Sequence, residues 1–344
     1  MKRGVASFLT AIAAIFIVSG CASRPDVGSK PLAFSCSGSE EIGLDRIRER
    51  LPSWADGSAK KDIARYLFEA TCRGSGKFIE LEERVAAFDL DGTLVLERPH
   101  YLEVLVAVER LKDLAEDDPS LRDEQPYKAA LENDTEYINA NGAEIVKRAA
   151  EGETIKTFHE RVVGYLGTQR HPRLGKVYSE LFYQPMVELI DLLRELSFEV
   201  LIVSGSQQEY IRAFSEDCLK VDEAEVIGSM MKFQLSDSGS FERQGEEWNP
   251  ASDGEGKVYR IKERTGTLPV LAFGNSGGDE AMLDIASSNP KGKSFIMNHD
   301  DPEDEYEYSD DELLETARAK NWTIVSMKND FRTVFVGSNC LAGQ

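Results

Sequence analysis

Positive charge is scarce in this sequence relative to its opposite. The 344 residues carry 40 lysines and arginines against 61 aspartates and glutamates, a formal net charge of −21. A surface for nucleic acid or anionic lipid needs clustered basic side chains to meet phosphates, so the balance argues against both as partners. Cysteine is sparse too: there are five, and none forms a CxxC pair. The four histidines, His100, His159, His171 and His299, lack close zinc spacing, which argues against zinc. The apolar stretch Val5–Val18 falls short of a comfortable membrane span. No internal repeat is visible. What the chain does have is 41% hydrophobic residues, enough for one large domain or for a core with an inserted domain.

Lys2 and Arg3 precede that apolar stretch, which is the pattern of a signal-peptide core. The "VSGC" that follows, Val18 to Cys21, resembles the lipobox of bacterial lipoproteins, in which the chain is cut before the cysteine and the cysteine carries lipid. The resemblance implies a signal peptide over 1–20 and lipidation at Cys21. It also implies a protein of the cell envelope, held to a membrane on the periplasmic face. Ala22, where Asp could stand, favours the outer membrane. Residues 21–40, rich in Ser, Gly and Pro, read as a tether. Outside the cytoplasm the remaining cysteines, Cys36, Cys72, Cys218 and Cys340, are expected in disulfides, for which four cysteines allow three connectivities. The nearest pair, Cys36–Cys72, is the expected bond, with Cys218 and Cys340 joined to each other or free.

Residues 41–97 hold a helical segment, with Ile47, Leu51, Ile63, Leu67 and Phe68 at helix spacing, and then a β-like run from Val85. Residues 98–183 turn helical and polar, with no convincing strand. Over 184–344 helices and short apolar strands alternate, the signature of a parallel sheet covered by helices. The acidic run Asp300–Asp311, "DDPEDEYEYSDD", reads first as a solvated face and second as a site for a cation or basic partner.

Three apolar strands end in polar tips. "VAAF" runs into Asp89-Leu90-Asp91, "VLIV" into Ser204-Gly205-Ser206, and "VLAF" into "GNSGGD", Gly274 to Asp279. In an open parallel sheet the ligand crevice lies outside the carboxyl ends of the strands, so these tips converge. Each has a plain structural explanation: Asp-Gly as a turn, "SGS" and Asp279 as helix caps, Lys257 and its rival Lys262 as solvated lysines. Together they suit phosphoryl transfer. One strand-end carboxylate attacks phosphorus, and the other protonates the leaving oxygen and then activates water. The cluster of oxygens suits Mg²⁺. Ser204 and the N–H of Gly205, at the start of an expected helix, would hold a phosphoryl oxygen, and Lys257 would balance charge.

With this order of motifs, "DLDGT" (89–93), Ser204, Lys257 and "GNSGGD" (274–279), the sequence resembles the haloacid dehalogenase superfamily of phosphohydrolases over about residues 84–335. Segments 183–212, "RHPR" (170–173) and "AFGNSGGDEAML" resemble an exported bacterial branch akin to phosphoserine phosphatases. The resemblance implies a Rossmann-like α/β core with helices on both sheet faces, and a helical cap inserted at 98–183. It implies Asp89 as nucleophile and Asp91 as acid/base, with Thr93, Ser204, Gly205 and Lys257 holding phosphate. Asp89, Asp91, Asn275 and Asp279 would form the metal site for Mg²⁺. The expected function is hydrolysis of small phosphorylated metabolites through an aspartyl-phosphate, with phosphotransfer to an alcohol as a rival. Asn275, where the family often has Asp, removes a negative charge and keeps open a second class: a lipid-anchored protein that binds a phosphate ligand, or assembles with partners, without turnover. Glu97, His100, Arg170 and His171 are candidates for specificity by position alone, His171 reading first as a structural loop residue.

Overall fold

The structure is a computed structural model and describes residues 40–248 and 251–343. β1 (Val85–Phe88) is buried along its whole length, so it needs cover on both faces of its sheet. It pairs in parallel with β2 (Glu199–Gln207) on one side and β5 (Leu271–Gly274) on the other. Parallel pairing continues from β2 to β3 (Val226–Leu235), from β5 to β6 (Lys293–Asp300) and from β6 to β8 (Thr323–Ser326). Two antiparallel strands extend the sheet, β4 (Phe241–Trp248) on β3 and the short β7 (Glu307–Tyr308) on β6.

Successive strand residues point to opposite faces, and the two faces have separate cores. Ala86, Phe88, Val200, Ile202 and Phe273 pack with the buried sides of α1 (Glu40–Glu49), α2 (Ser58–Thr71) and α8 (Gln184–Glu195). Phe88, Phe273 and Phe295 stack across three neighbouring strands with centroids 4.8 and 4.6 Å apart. Val85, Ala87, Leu201, Val203 and Ala272 pack instead with Ile261, Met282, Leu283 and Leu313. Those four come from α11 (Glu255–Thr265), α12 (Glu280–Ser288) and α13 (Asp311–Lys320). The fold is thus the expected one, a mostly parallel sheet flanked by helices.

Between β1 and α8 the chain forms α3 (Leu102–Asp117), α4 (Tyr127–Glu132), α5 (Thr135–Ala140), α6 (Gly142–Ala150) and α7 (Ile155–Thr168). Val104, Val108 and Leu111 lie on one stripe of α3 and join Tyr127, Ala130, Ile138, Ile145 and Ala149 in a core of the insert's own. Asp134 and Thr154 cap α5 and α7 by accepting from the N–H groups of Tyr137 and Thr157.

The hairpin of β3 and β4 has no forecast in the sequence, because "FERQGEEW" lacks the apolar alternation of a strand with one buried face. Its buried side chain is Arg243, which donates to Glu153 Oε2 at 2.7 Å and lies 3.4 Å over the ring of Phe158, fastening the hairpin to the insert. The acidic run is only partly a solvated face: Glu305 and Asp301 are buried, and Asp310 caps α13. The helical pattern around Ile47 to Phe68 is carried by two helices, α1 and α2.

Cys218, on the short α10 (Ser215–Leu219), is bonded to Cys340. Cys72 is also disulfide-bonded, whereas Cys36, its expected partner, lies outside the described residues, as does Cys21. The 218–340 bond closes a span of 122 residues. For a loop that long, restriction of the unfolded chain is worth about 4–5 kcal/mol in the chain-entropy model. Cys218→Ala with Cys340→Ala is therefore expected to lower unfolding free energy by about 2–5 kcal/mol, read by urea denaturation. Among the described residues no helix is long and apolar enough to cross a membrane.

Candidate active site

β1 stops at Phe88 because the next residues turn their polar groups away from the ladder. Asp89 still donates its N–H to Phe273 O at 3.0 Å, and the chain then bends at Gly92, whose φ is +76°. A Cβ at Gly92 would meet Asn275 Nδ2 at 2.0 Å, so glycine is required twice over, by backbone and by space. His299, at the end of β6, holds the turn from behind: its Nε2 donates to Gly92 O at 2.9 Å. Glu305 meets His299 Nδ1 at 3.1 Å and accepts from the Tyr183 hydroxyl at 3.0 Å. Part of the acidic run thus supports the first motif.

The tips of β1, β2 and β5 do converge. Lys257, in the first turn of α11, donates to Asp89 Oδ1 and to Asp279 Oδ1, both at 2.6 Å, and all three are buried. Lys262 sits apart, donating to Gly266 O at the other end of that helix. The second oxygen of Asp279 accepts from the N–H groups of Asn275 and Ser276 at 3.0 and 3.1 Å. Both Asp279 oxygens are therefore engaged in holding Lys257 and the loop after β5. Asn275 Oδ1 accepts from Thr93 Oγ1 at 3.4 Å, and its Nδ2 donates to Glu97 Oε1 at 3.2 Å.

Ser204 is buried, and its hydroxyl accepts from Ser206 N–H at 3.1 Å. The expectation of a helix beginning at Gly205 is corrected: β2 runs on through Gln207, and α9 (Gln208–Arg212) starts after it. Gly205 is the solvent-facing residue of that strand end. An extended backbone puts Ser204 and Ser206 on the same side, and Ser206 Oγ donates to Asp91 Oδ2 at 2.8 Å. Ser206 is a site residue that reading "SGS" as a cap overlooked; strand alternation was the available signal.

Of the specificity candidates only Glu97 reaches the strand tips. His100 pairs with Asn139, Arg170 donates to Gly175 O, and buried His171 meets Arg98 O at 3.0 Å. These three serve loop and insert structure.

Negative charge exceeds positive in this pocket. Burial, aided by Asp279, pushes Asp89 well above the usual carboxylate range, against the pull of Lys257. Burial pushes Asp91 up to about 6, opposed by the Ser206 hydroxyl and Lys257. It pushes Glu97 up to about 7. Lys257 keeps its charge despite burial because Asp279 and Asp89 flank it. One ammonium among Asp89, Asp91, Asp279 and Glu97 leaves a deficit that a hard divalent cation fits, since the donors are all oxygens. Among the described residues no group of three His, Cys, Asp or Glu side chains forms a metal site by itself, so an amide or backbone oxygen has to contribute.

The family model described as haloacid dehalogenase-like hydrolase matches residues 86–284. No curated protein matches the sequence. Among solved structures, a conserved protein of unknown function from Anaerococcus prevotii is 15% identical with a TM-score of 0.52, over 82% of this chain and 95% of that one. A protein of unknown function from Bordetella pertussis is 17% identical with a TM-score of 0.47, over 71% and 98%. A probable phosphoserine phosphatase from Vibrio cholerae is 12% identical with a TM-score of 0.41, over 83% and 73%. At these identities the first likeness speaks for the fold alone. The family match is of another order: it runs from the strand that carries Asp89 to the helix behind Asp279, more than half the chain, and the protein belongs to the haloacid dehalogenase-like hydrolases.

Proposed function

We propose that this hydrolase cleaves small phosphate monoesters through an aspartyl-phosphate on Asp89. The observation that carries the reading is the unequal treatment of two carboxylates. Burial raises both carboxyls, but their partners differ: Asp89 is hydrogen-bonded to the Lys257 ammonium, whereas Asp91 has only the Ser206 hydroxyl on one oxygen and no partner among the described residues on the other. Environments that differ in this way divide nucleophile from acid.

An Asp89 oxygen attacks phosphorus as the bond from phosphorus to the ester oxygen breaks, and Asp91 gives that oxygen its proton. Asp91, now a carboxylate, takes a proton from water as the water oxygen attacks the aspartyl-phosphate, releasing inorganic phosphate and restoring Asp89. Lys257 balances charge, and Thr93, Ser204 and the Gly205 N–H hold phosphoryl oxygens. Asp89, the Asp91 carbonyl, Asn275 and Asp279 would hold Mg²⁺, and Asp279 also steadies Lys257 and the loop behind. The ion would supply neutralisation of the phosphoryl charge. The helical insert, which has its own core, would act as the cap that excludes water.

The same reading places the protein at the cell envelope, anchored at Cys21. Support comes from the first 21 residues and from the Cys218–Cys340 bond, which suits an oxidising compartment. Purified protein is expected to release phosphate from a panel of phosphomonoesters in the presence of Mg²⁺ and to lose that activity in EDTA. No release from any ester above that of Asp89→Asn would overturn the reading in favour of a binding protein.

A further inference from the structure

β2 ends in a bulge. It pairs with β3 as Ile202–Val226 and Val203–Ile227, then slips so that Gln207 stands opposite Ser229. A bulge leaves a ladder group without its strand partner and turns neighbouring side chains in new directions. The backbone group here is the Gln207 N–H, which donates to both carboxyl oxygens of Glu103, at 3.2 and 3.1 Å. Ser206, the residue before it, donates its hydroxyl to Asp91.

Glu103 is 7% exposed and belongs to the first turn of α3, in the insert rather than the sheet. A buried carboxyl is an expensive way to satisfy one N–H, since a water or a hydroxyl would serve. Its surroundings are built to keep it there. Arg243 of β4 donates to the Gln207 side-chain oxygen at 2.8 Å and to Glu153, and Arg161 of α7 donates to the other Glu153 oxygen at 2.9 Å. Glu103 lines the same small cavity as these groups. The insert, the hairpin and the catalytic strand therefore meet around the residue that fixes the end of β2.

We propose that Glu103 is a positioning residue for the acid–base step, holding the Ser206–Gln207 segment so that Ser206 orients the carboxyl of Asp91. The consequence for Asp91 is specific. Its Oδ2 is taken by the Ser206 hydroxyl and its Oδ1 has no partner among the described residues, so Oδ1 is the oxygen left to carry the proton and deliver it to the ester. Without Glu103 the strand end relaxes, Ser206 loses its aim, and the proton is no longer presented. The proposal rests on the phosphatase reading.

The test compares kcat on an alkyl phosphate, whose leaving oxygen needs a proton, with kcat on p-nitrophenyl phosphate, whose leaving group departs as an anion. General acid catalysis is worth roughly 10²–10⁴-fold, and misalignment of the acid forfeits part of it. Glu103→Ala is expected to lower the alkyl-to-aryl kcat ratio about tenfold, with KM little changed. Glu103→Gln, which keeps an acceptor for the Gln207 N–H, is expected to restore most of the ratio. Ser206→Ala should lower the ratio similarly, and the double variant should fall no further, because both act on one contact. If Glu103→Ala does not fold, Glu103→Asp, with its oxygens withdrawn by a methylene, reads the same ratio. An unchanged ratio in an active, folded variant overturns the proposal, as does additivity with Ser206→Ala or an equal loss on both substrates. Wild-type protein inert on every ester overturns the phosphatase reading itself, which is a different result.

Discussion

Asp89→Asn is expected to abolish phosphate release, by a factor on the order of 10⁴ or more, as removal of a nucleophile does in other covalent hydrolases. The amide keeps the shape of the carboxylate but cannot attack phosphorus or form an acyl-phosphate. Stability is expected to move the other way. In the wild type, burial and the neighbouring Asp279 oppose the ionised form of Asp89, and Lys257 retains Asp279 as a partner after the substitution. Removing one charge from an over-supplied acidic pocket relieves repulsion, so thermal unfolding of Asp89→Asn should occur at or above the wild-type temperature in metal-free buffer. A variant that is inactive and also much less stable would place Asp89 in the structure rather than in the chemistry.

Asp91→Asn is expected to reduce kcat on alkyl phosphates by roughly 10²–10⁴-fold, the range for loss of a general acid. On p-nitrophenyl phosphate the loss should be smaller, since bond cleavage there needs no proton, although the water-activating half of the cycle remains affected. The contrast between substrates, not the size of either loss, assigns the role. An equal loss on both would mean that Asp91 acts before or beside the departure of the leaving group. Single-turnover measurements with the aryl ester separate the two halves: the first release of p-nitrophenol should persist when later turnovers are slowed.

The residues that can be read from the sequence are those whose role depends on local order. Asp89, Asp91, Lys257 and Asp279 stand at the ends of apolar runs or at the start of a helix, and a parallel sheet brings such ends together whatever the loops do. Lys257 could be preferred to Lys262 because only the first turn of α11 faces the crevice, and it does. Other groups depend on tertiary placement that composition conceals. Glu305 is one acid in a highly acidic run; it is buried because His299, six residues earlier at the end of β6, and Tyr183, 122 residues away in the chain, both reach it. Arg243 sits in a strand of polar residues and is buried against Glu153 and Phe158 of the insert and Gln207 at the end of β2. The end of β2 is not legible locally, because Ser-Gly-Ser suits a helix cap as well as an irregular strand end, and only pairing with β3 decides between them.

The Cys218–Cys340 bond encloses β3 through β8, and with them Lys257, Asn275 and Asp279, while Asp89 and Asp91 lie outside the enclosed span. The exposed turn of the hairpin, Ser236–Ser240, falls within it and is the kind of loop tip that proteases cut first. A protease that nicks the chain there yields two polypeptides that each carry half of the catalytic machinery, yet they stay covalently joined through Cys218 and Cys340. In an environment where proteolysis is routine and thiols are oxidised, cleavage at that turn therefore leaves one molecule, and the site comes apart only when cutting and reduction occur together.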